Sequence, residues 1–279
     1  MLGAAMADWN AVRFDPNQCV DHVESLYLKL NEPGGKRALW VKTTILAGAG
    51  RTPVAEAWAI AFDRDAGHVA AKQVVPFADA SFSRTGLDVK VAGVSLTAGR
   101  TRGQLESGGA RIEWDLEFDT RGDPLVPYPY PKMYEGGFPS QKTVTRFPDT
   151  RFSGSYRVGG REVRVDGWKG MQSHNWGKRH TELYAWAHVN QWDNADDLML
   201  EGFTGRLKLG PLLAPPLTVL CVWHAGRRYA FNDVRTLLRN KGVITLRSWR
   251  FEAESPQARV RGELAADTDE MVGLHYENP

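Results

Sequence analysis

An all-β fold of antiparallel sheets or barrels with little helix is predicted by three observations: strict two-residue alternation, short apolar runs between turn residues, and an excess of tryptophan and glycine. The alternation is sharpest over 111–118, Arg-Ile-Glu-Trp-Asp-Leu-Glu-Phe, where Ile112, Trp114, Leu116 and Phe118 take turns with charged residues. Such a strand buries one face. Comparable runs fall at 24–30, 39–46, 54–62, 69–75, 87–96, 184–192, 198–203, 217–223, 243–251 and 258–264. Between them stand Glu32-Pro33-Gly34-Gly35, Ser107-Gly108-Gly109 and Val158-Gly159-Gly160, whose glycines suit tight turns. Ten tryptophans and 28 glycines in 279 residues fit aromatic strands joined by glycine turns. A single short helix is expected over 233–240, opened by Asn232 or Asp233 as its cap and followed by Gly242.

Length and a 42% hydrophobic content suffice for two cores. Pro124, Pro127, Pro129, Pro131, Pro139 and Pro148 deny a ladder their backbone donors. They mark 122–149 as a crossing between a first domain at 10–121 and a second at 150–279. A weak echo, Ala57-Trp58-Ala59 with Asp65 and Ala185-Trp186-Ala187 with Asp193, suits a duplicated barrel. In 54–62 the even positions Glu56, Trp58, Ile60 and Phe62 face one way and Ala55, Ala57, Ala59 and Ala61 the other. The bare alanine face fits either an interior with room for a ligand or close packing against a second sheet.

Thirty-five basic against thirty-three acidic residues leave a net charge of +2 without a dense basic block, which argues against a nucleic-acid partner. The first ten residues carry neither a basic leader nor a long apolar stretch, so neither a signal peptide nor an anchor is expected there. Cys19 and Cys221, one in each half, exclude a disulfide framework and fit reduced thiols in the cytoplasm. No phosphate loop, Gly-x-Ser-x-Gly elbow or His-Glu-x-x-His is present.

The chemistry concentrates over 166–193, which holds Trp168, Trp176, Trp186, Trp192, His174, His180 and His188. On a strand over 184–192, Tyr184, Trp186, His188, Asn190 and Trp192 share one face. Flat aromatic walls with a few polar tips suit a largely apolar ligand. The three histidines lack any recognised ligand spacing, so no metal is expected. His174 reads equally well as a proton-transfer group and as a structural pin for the Trp-Gly segment. Glu201, between Met199 and Phe203 on its strand face, and Glu56, beside Trp58, are acids in apolar surroundings; each also fits an edge charge facing water. Asp193 is read as a turn residue.

The segments 24–33 with Arg37-Ala38-Leu39-Trp40, and Ser173-His174-Asn175-Trp176-Gly177 with Tyr184-Ala185-Trp186-Ala187-His188, resemble the AttH and carotenoid 1,2-hydratase-like superfamily. Its relatives include plant tocopherol cyclases and lipocalin-like fungal enzymes that accelerate Diels-Alder closures. The resemblance runs thinly over nearly the whole chain, with the His-Asn-Trp-Gly box its most specific part. It implies two tandem lipocalin-like barrels packed together and a long isoprenoid or polyketide substrate. Hydratases of this group carry an acid just before the box, where this chain has Ser173. A hydroxyl cannot protonate an alkene as a carboxylic acid can. The chain stops at Tyr276-Glu277-Asn278-Pro279, where relatives continue, so a truncated second barrel is one expectation.

Together these readings give an apolar small molecule as the partner and a cyclase, isomerase or hydratase reaction without a cofactor. His174, Tyr184 and Glu201 are the candidates for proton transfer. Trp58, Asn175, Trp176, Trp186, His188, Asn190 and Trp192 are the candidates for binding. A carrier that shelters a lipid, or a structural module with filled barrels, fits the same residues. Peripheral membrane contact and the number of subunits stay open.

Overall fold

The computed structural model describes residues 8–18, 20–48, 50–206 and 215–279, and the backbone alone at 208–209 and 212–213. Cys19 lies outside the described residues. The fold is all-β, as the alternation predicts. Helix among the described residues is confined to single turns: α1 (Lys132–Glu135), α2 (Val234–Leu237), and 3₁₀ turns at Phe77–Asp79 and Thr268–Glu270. No described helix is long and apolar enough to cross a membrane. The expected helix over 233–240 shortens to α2, and its cap is Asp233, whose side chain accepts from the backbone of Arg235 and Thr236.

The chain forms two compact units. The first comprises the chain to Leu125, Thr143–Arg179 and Glu277–Pro279; the second comprises Val126–Lys142 and His180–Tyr276. The first holds β1 (His22–Asn31), β2 (Arg37–Ala47), β3 (Val54–Asp63), β4 (Val69–Pro76), β5 (Ser81–Phe82), β6 (Asp88–Val91), β7 (Val94–Thr97), β8 (Arg100–Ser107), β9 (Ala110–Phe118), β10 (Gln141–Val158) and β11 (Arg161–Gly177). These make one sheet in the order β4-β3-β2-β1-β11-β10-β9-β8-β7-β6-β5, curled so that β4 packs against β8 and β9. Ile112, Trp114, Leu116 and Phe118 of β9 enter its core. Each large apolar side chain removed from water there contributes about 1.5–3 kcal/mol.

The Pro-rich stretch is divided between the two units. β10 begins inside the Pro-rich stretch, because Pro148 precedes the paired stretch with β9, which starts at Phe152. A proline costs a ladder only its own N–H. The run 87–96 is a hairpin, β6 and β7, turned at Ala92-Gly93. Ala55, Ala57, Ala59 and Ala61 all belong to the packed core of the first unit. Of the two readings of the alanine face, close packing holds.

The second unit holds β12 (Tyr184–Val189), β13 (Met199–Gly205), β14 (Lys208–Leu209), β15 (Leu212–Leu213), β16 (Leu217–His224), β17 (Arg227–Phe231), β18 (Lys241–Ile244), β19 (Ser248–Glu254) and β20 (Arg259–Ala265). They form a four-stranded sheet β12-β13-β16-β17, the β14-β15 pair, and a three-stranded sheet β18-β19-β20. Leu200, Leu220 and Phe231 of the larger sheet pack on Trp249, Phe251 and Ala253 of the smaller. The Trp249 indole N–H donates to Thr204 Oγ1 at 2.8 Å within this core. The run 243–251 is interrupted where Thr245 Oγ1 accepts from the backbone of Arg247 and Ser248.

The β16-β17 turn places Ala225 at φ 51° and Gly226 at φ 70°, a left-handed pair that a two-residue hairpin requires. An alanine pays steric strain there that asparagine tolerates better, and Ala225 is exposed. Ala225→Asn is therefore expected to raise stability by about 0.5–1 kcal/mol, read as a higher denaturation midpoint without a change of slope.

Candidate functional site

The His-Asn-Trp-Gly box closes β11, which runs antiparallel to β1 with Leu26 opposite His174, Ser25 opposite Asn175 and Glu24 opposite Trp176. Alternation therefore splits the box between two faces. His174 and Trp176 share the core side with Glu24 and Leu26; Ser173 and Asn175 take the other. His174 is fully buried. Its Nδ1 lies 2.6 Å from the Trp9 carbonyl oxygen and its Nε2 2.8 Å from Glu24 Oε1. A carbonyl only accepts, so Nδ1 carries the proton toward Trp9.

Glu24 also accepts from the backbone N–H of Arg13 at 2.7 Å and of Phe14 at 2.8 Å, and meets His22 Nε2 at 2.8 Å. Burial pushes its carboxyl up, but the hydrogen bonds from His174 and His22 outweigh it and hold the group down at about 2. Asn10 and Gln172 exchange side-chain amide hydrogen bonds, both 3.0 Å. The Arg13 guanidinium lies over the Trp176 ring. In this arrangement the box seats the segment around residues 9–14, whose Val12 and Phe14 enter the core. Both ring nitrogens of His174 are spent on that task.

The opposite face of β1–β4 carries Ser25, Tyr27, Lys42, Thr44, Glu56 and Trp58, all buried. Register sets Lys42 between Tyr27 and Trp58. The Trp58 indole N–H donates to Glu56 Oε2 at 3.0 Å, and Lys72 Nζ pairs with Glu56 Oε1 at 2.7 Å. Trp58 thus stands where the alternation of β3 puts it. In the sequence Lys42 carries only the signal of a cation in mid-strand whose neighbours on both faces read as strand interior.

In the second unit, β12 pairs with β13 so that His188 faces Glu201 and Trp186 faces Phe203. β13 pairs with β16 so that Glu201 faces Cys221 and Phe203 faces Val219. Ala185 and Ala187 turn to the core, as the alanines of β3 do. Trp186, His188, Glu201, Phe203 and Cys221 therefore share the other face. The Trp186 indole N–H donates to Glu201 Oε1 at 3.3 Å, and Glu201 is 5% exposed. In both members of the echo, a tryptophan opposite an alanine face gives its N–H to a buried glutamate.

Tyr128 and Tyr134, from the Pro-rich segment of the same unit, extend the aromatic surface: their rings lie 5.3 Å apart, and Tyr128 meets Phe203 edge-on at 6.5 Å. Burial pushes both phenols above their ordinary range. Asn232 anchors that segment by donating to the carbonyls of Val126 and Pro127. Burial likewise pushes the Cys221 thiol up to about 11, against the lowering pull of the Arg228 guanidinium. Native protein at about pH 8 is therefore expected to keep Cys221 unalkylated by iodoacetamide, with modification appearing only on unfolding in peptide mass maps.

The structure thus brings Trp186, His188 and Glu201 together. Tyr184 opens β12 but is 53% exposed. Asn190 and Trp192 lie past the end of β12 at Val189, where alternation ceases, and Trp192 packs against the core of the second unit instead. Trp58, His174, Asn175 and Trp176 belong to the first unit. Among the described residues no group of three or more His, Cys, Asp or Glu is arranged to hold a metal. An open groove of about 580 Å³ along Arg227, Arg228, Tyr229, Ala230, Ser255 and Gln257 contains none of the expected residues.

No family model matches the chain. An uncharacterised protein found in two strains of Mycobacterium tuberculosis is 24% identical over 258 residues, which is 92% of this chain and 75% of that protein. Among solved structures, one from Nitrosomonas europaea assigned provisionally to AttH superposes with a TM-score of 0.57 at 15% identity, covering 90% of this chain and 83% of that one. CghA with Sch210972 superposes with a TM-score of 0.57 at 12% identity, covering 85% and 73%. By fold, the chain shares the all-β, lipocalin-like architecture of these two structures.

Proposed function

We propose that the chain binds an apolar small molecule, of isoprenoid, lipid or polyketide type, and rearranges it by cyclisation, isomerisation or hydration with its own side chains. The observation that carries this reading is Glu201: a buried carboxyl held by the Trp186 indole on an aromatic strand face, opposite His188. A carboxyl in that setting gives a proton to an alkene or carbonyl, and the rings of Trp186 and Phe203 face the cation that results. The rings also hold a flexible chain in one reactive shape, which removes entropy from the barrier before reaction. His174, with both nitrogens engaged by Trp9 and Glu24, serves the fold in this reading rather than the proton transfer. The likeness to an AttH-type structure and to CghA supports a ligand-holding fold of this class.

The test is to incubate an apolar extract of the producing organism with the protein and compare it by chromatography and mass spectrometry. The expected result is a product of unchanged mass and altered retention, or one heavier by water. A compound that stays bound and returns unaltered would make the protein a carrier.

A further inference from the structure

The groove beside β17 and the acid-bearing face of the second unit share two residues. β17 is an edge strand, last in the order β12-β13-β16-β17. Register carries one face across that sheet: Glu201 stands opposite Cys221, Cys221 opposite Ala230, and Trp223 opposite Arg228. Arg228 and Ala230 therefore lie on the same face as Glu201, and both also line the groove of about 580 Å³. By strand spacing and rise, the Cα atoms of Glu201 and Arg228 are about 12 Å apart. All these residues belong to one unit.

The groove is rich in donors. Arg227 and Arg228 are exposed, and among the described residues neither pairs with a carboxylate. Two carboxylates of neighbouring turns are engaged elsewhere: Asp197 by His224 and the Ala225 N–H, Glu254 by Arg259. The Arg228 guanidinium lies 5.6 Å from the Trp223 ring centroid, and its charge pulls the Cys221 thiol and the Tyr134 phenol down against their burial, which places it beside the site face. The two-residue turn joins Arg227, Tyr229 and Phe231 to β16 by hydrogen bonds and leaves the N–H groups of Arg228 and Ala230 on the free edge. Gln257 and Ser255, from the turn between β19 and β20, form the opposite wall. A guanidinium fork binds a carboxylate by two parallel hydrogen bonds.

We propose that this groove seats the carboxylate head of the ligand on Arg228, with Arg227 adding its charge and the carbon chain running along the sheet face toward Glu201. The assignment rests on the apolar-ligand reading above and narrows it to long-chain carboxylic acids.

Decanoate and decanol separate the two claims, since they share an apolar chain and differ in the head. Apolar transfer alone favours decanol, because an ionised head is the better hydrated. Titrations of the whole chain at about pH 7, where the acid is ionised, are followed on the indole N–H resonance of Trp186. Decanoate is expected to bind about tenfold more tightly than decanol. In the double variant Arg227→Gln with Arg228→Gln, both exposed positions, that preference should vanish while decanol affinity changes less than about twofold. Wild-type protein that binds decanol as well as decanoate, or a double variant that keeps the preference, overturns the subsite while the apolar-ligand reading stands. Failure of both probes to move Trp186 overturns both. The wild-type ratio decides even where the double variant fails to fold.

Discussion

Glu24→Gln is expected to destabilise the first unit by about 3–5 kcal/mol at neutral pH, the usual cost of leaving buried donors without the carboxylate that satisfies them. Glu24 accepts from two backbone N–H groups and meets two imidazoles, and it is 1% exposed. A glutamine at this position keeps one accepting oxygen and turns an NH₂ group toward donors that need an acceptor. The segment around residues 9–14 then loses the group that satisfies its backbone, and Val12 and Phe14 lose their place in the core. The same residue sets an acid limit. Its folded value is lowered from 4.5 to about 2, so its contribution is complete above the unfolded value and disappears as pH falls through the folded one. Wild-type stability should fall by about 3 kcal/mol between pH 4.5 and 2 on this account, and the variant should lack that step. Urea titrations across that range measure both. A loss below about 1 kcal/mol at neutral pH would show that the seating of residues 9–14 is not built on the charge.

Glu201→Gln is expected to lower turnover by about 10²- to 10⁴-fold, the range by which a positioned proton donor accelerates a reaction. The amide oxygen still accepts from the Trp186 indole, so the strand face and the unit 2 core should keep their packing. Ligand affinity should change by less than about tenfold, because the aromatic surface is untouched. Unchanged turnover with unchanged binding would remove Glu201 from the chemistry and leave the face as a binding surface.

Much of this architecture was legible because alternation reports burial directly. β9 alternates without fault since one face is core and the other solvent. β3 and β12 advertise their two faces through alanine on one side and tryptophan on the other. Strand ends were less legible where a local rule yielded to geometry: Pro148 is accommodated within β10, and Ala92 accepts the left-handed turn between β6 and β7. The candidate site divides in the same way. Trp186, His188 and Glu201 follow from strand faces and the register of one hairpin. Lys42 does not, since its setting depends on Trp58 and Lys72, which pairing across β2, β3 and β4 brings to it from distant sequence. The His-Asn-Trp-Gly box reads as one motif in sequence, yet alternation sends its polar groups to opposite faces, and the partner of its histidine lies on β1.

The most direct test of the central claim, that the Trp186 and Glu201 face holds the ligand, is the indole N–H spectrum of ¹⁵N-tryptophan-labelled protein titrated with decanol, with Trp186 assigned through Trp186→Phe. The Trp186 resonance is expected to move, while those of Trp249 and Trp114 stay in place, since their N–H groups are bound inside the cores by Thr204 and Thr101. Saturable binding that shifts Trp249 or Trp114 and leaves Trp186 still would contradict it.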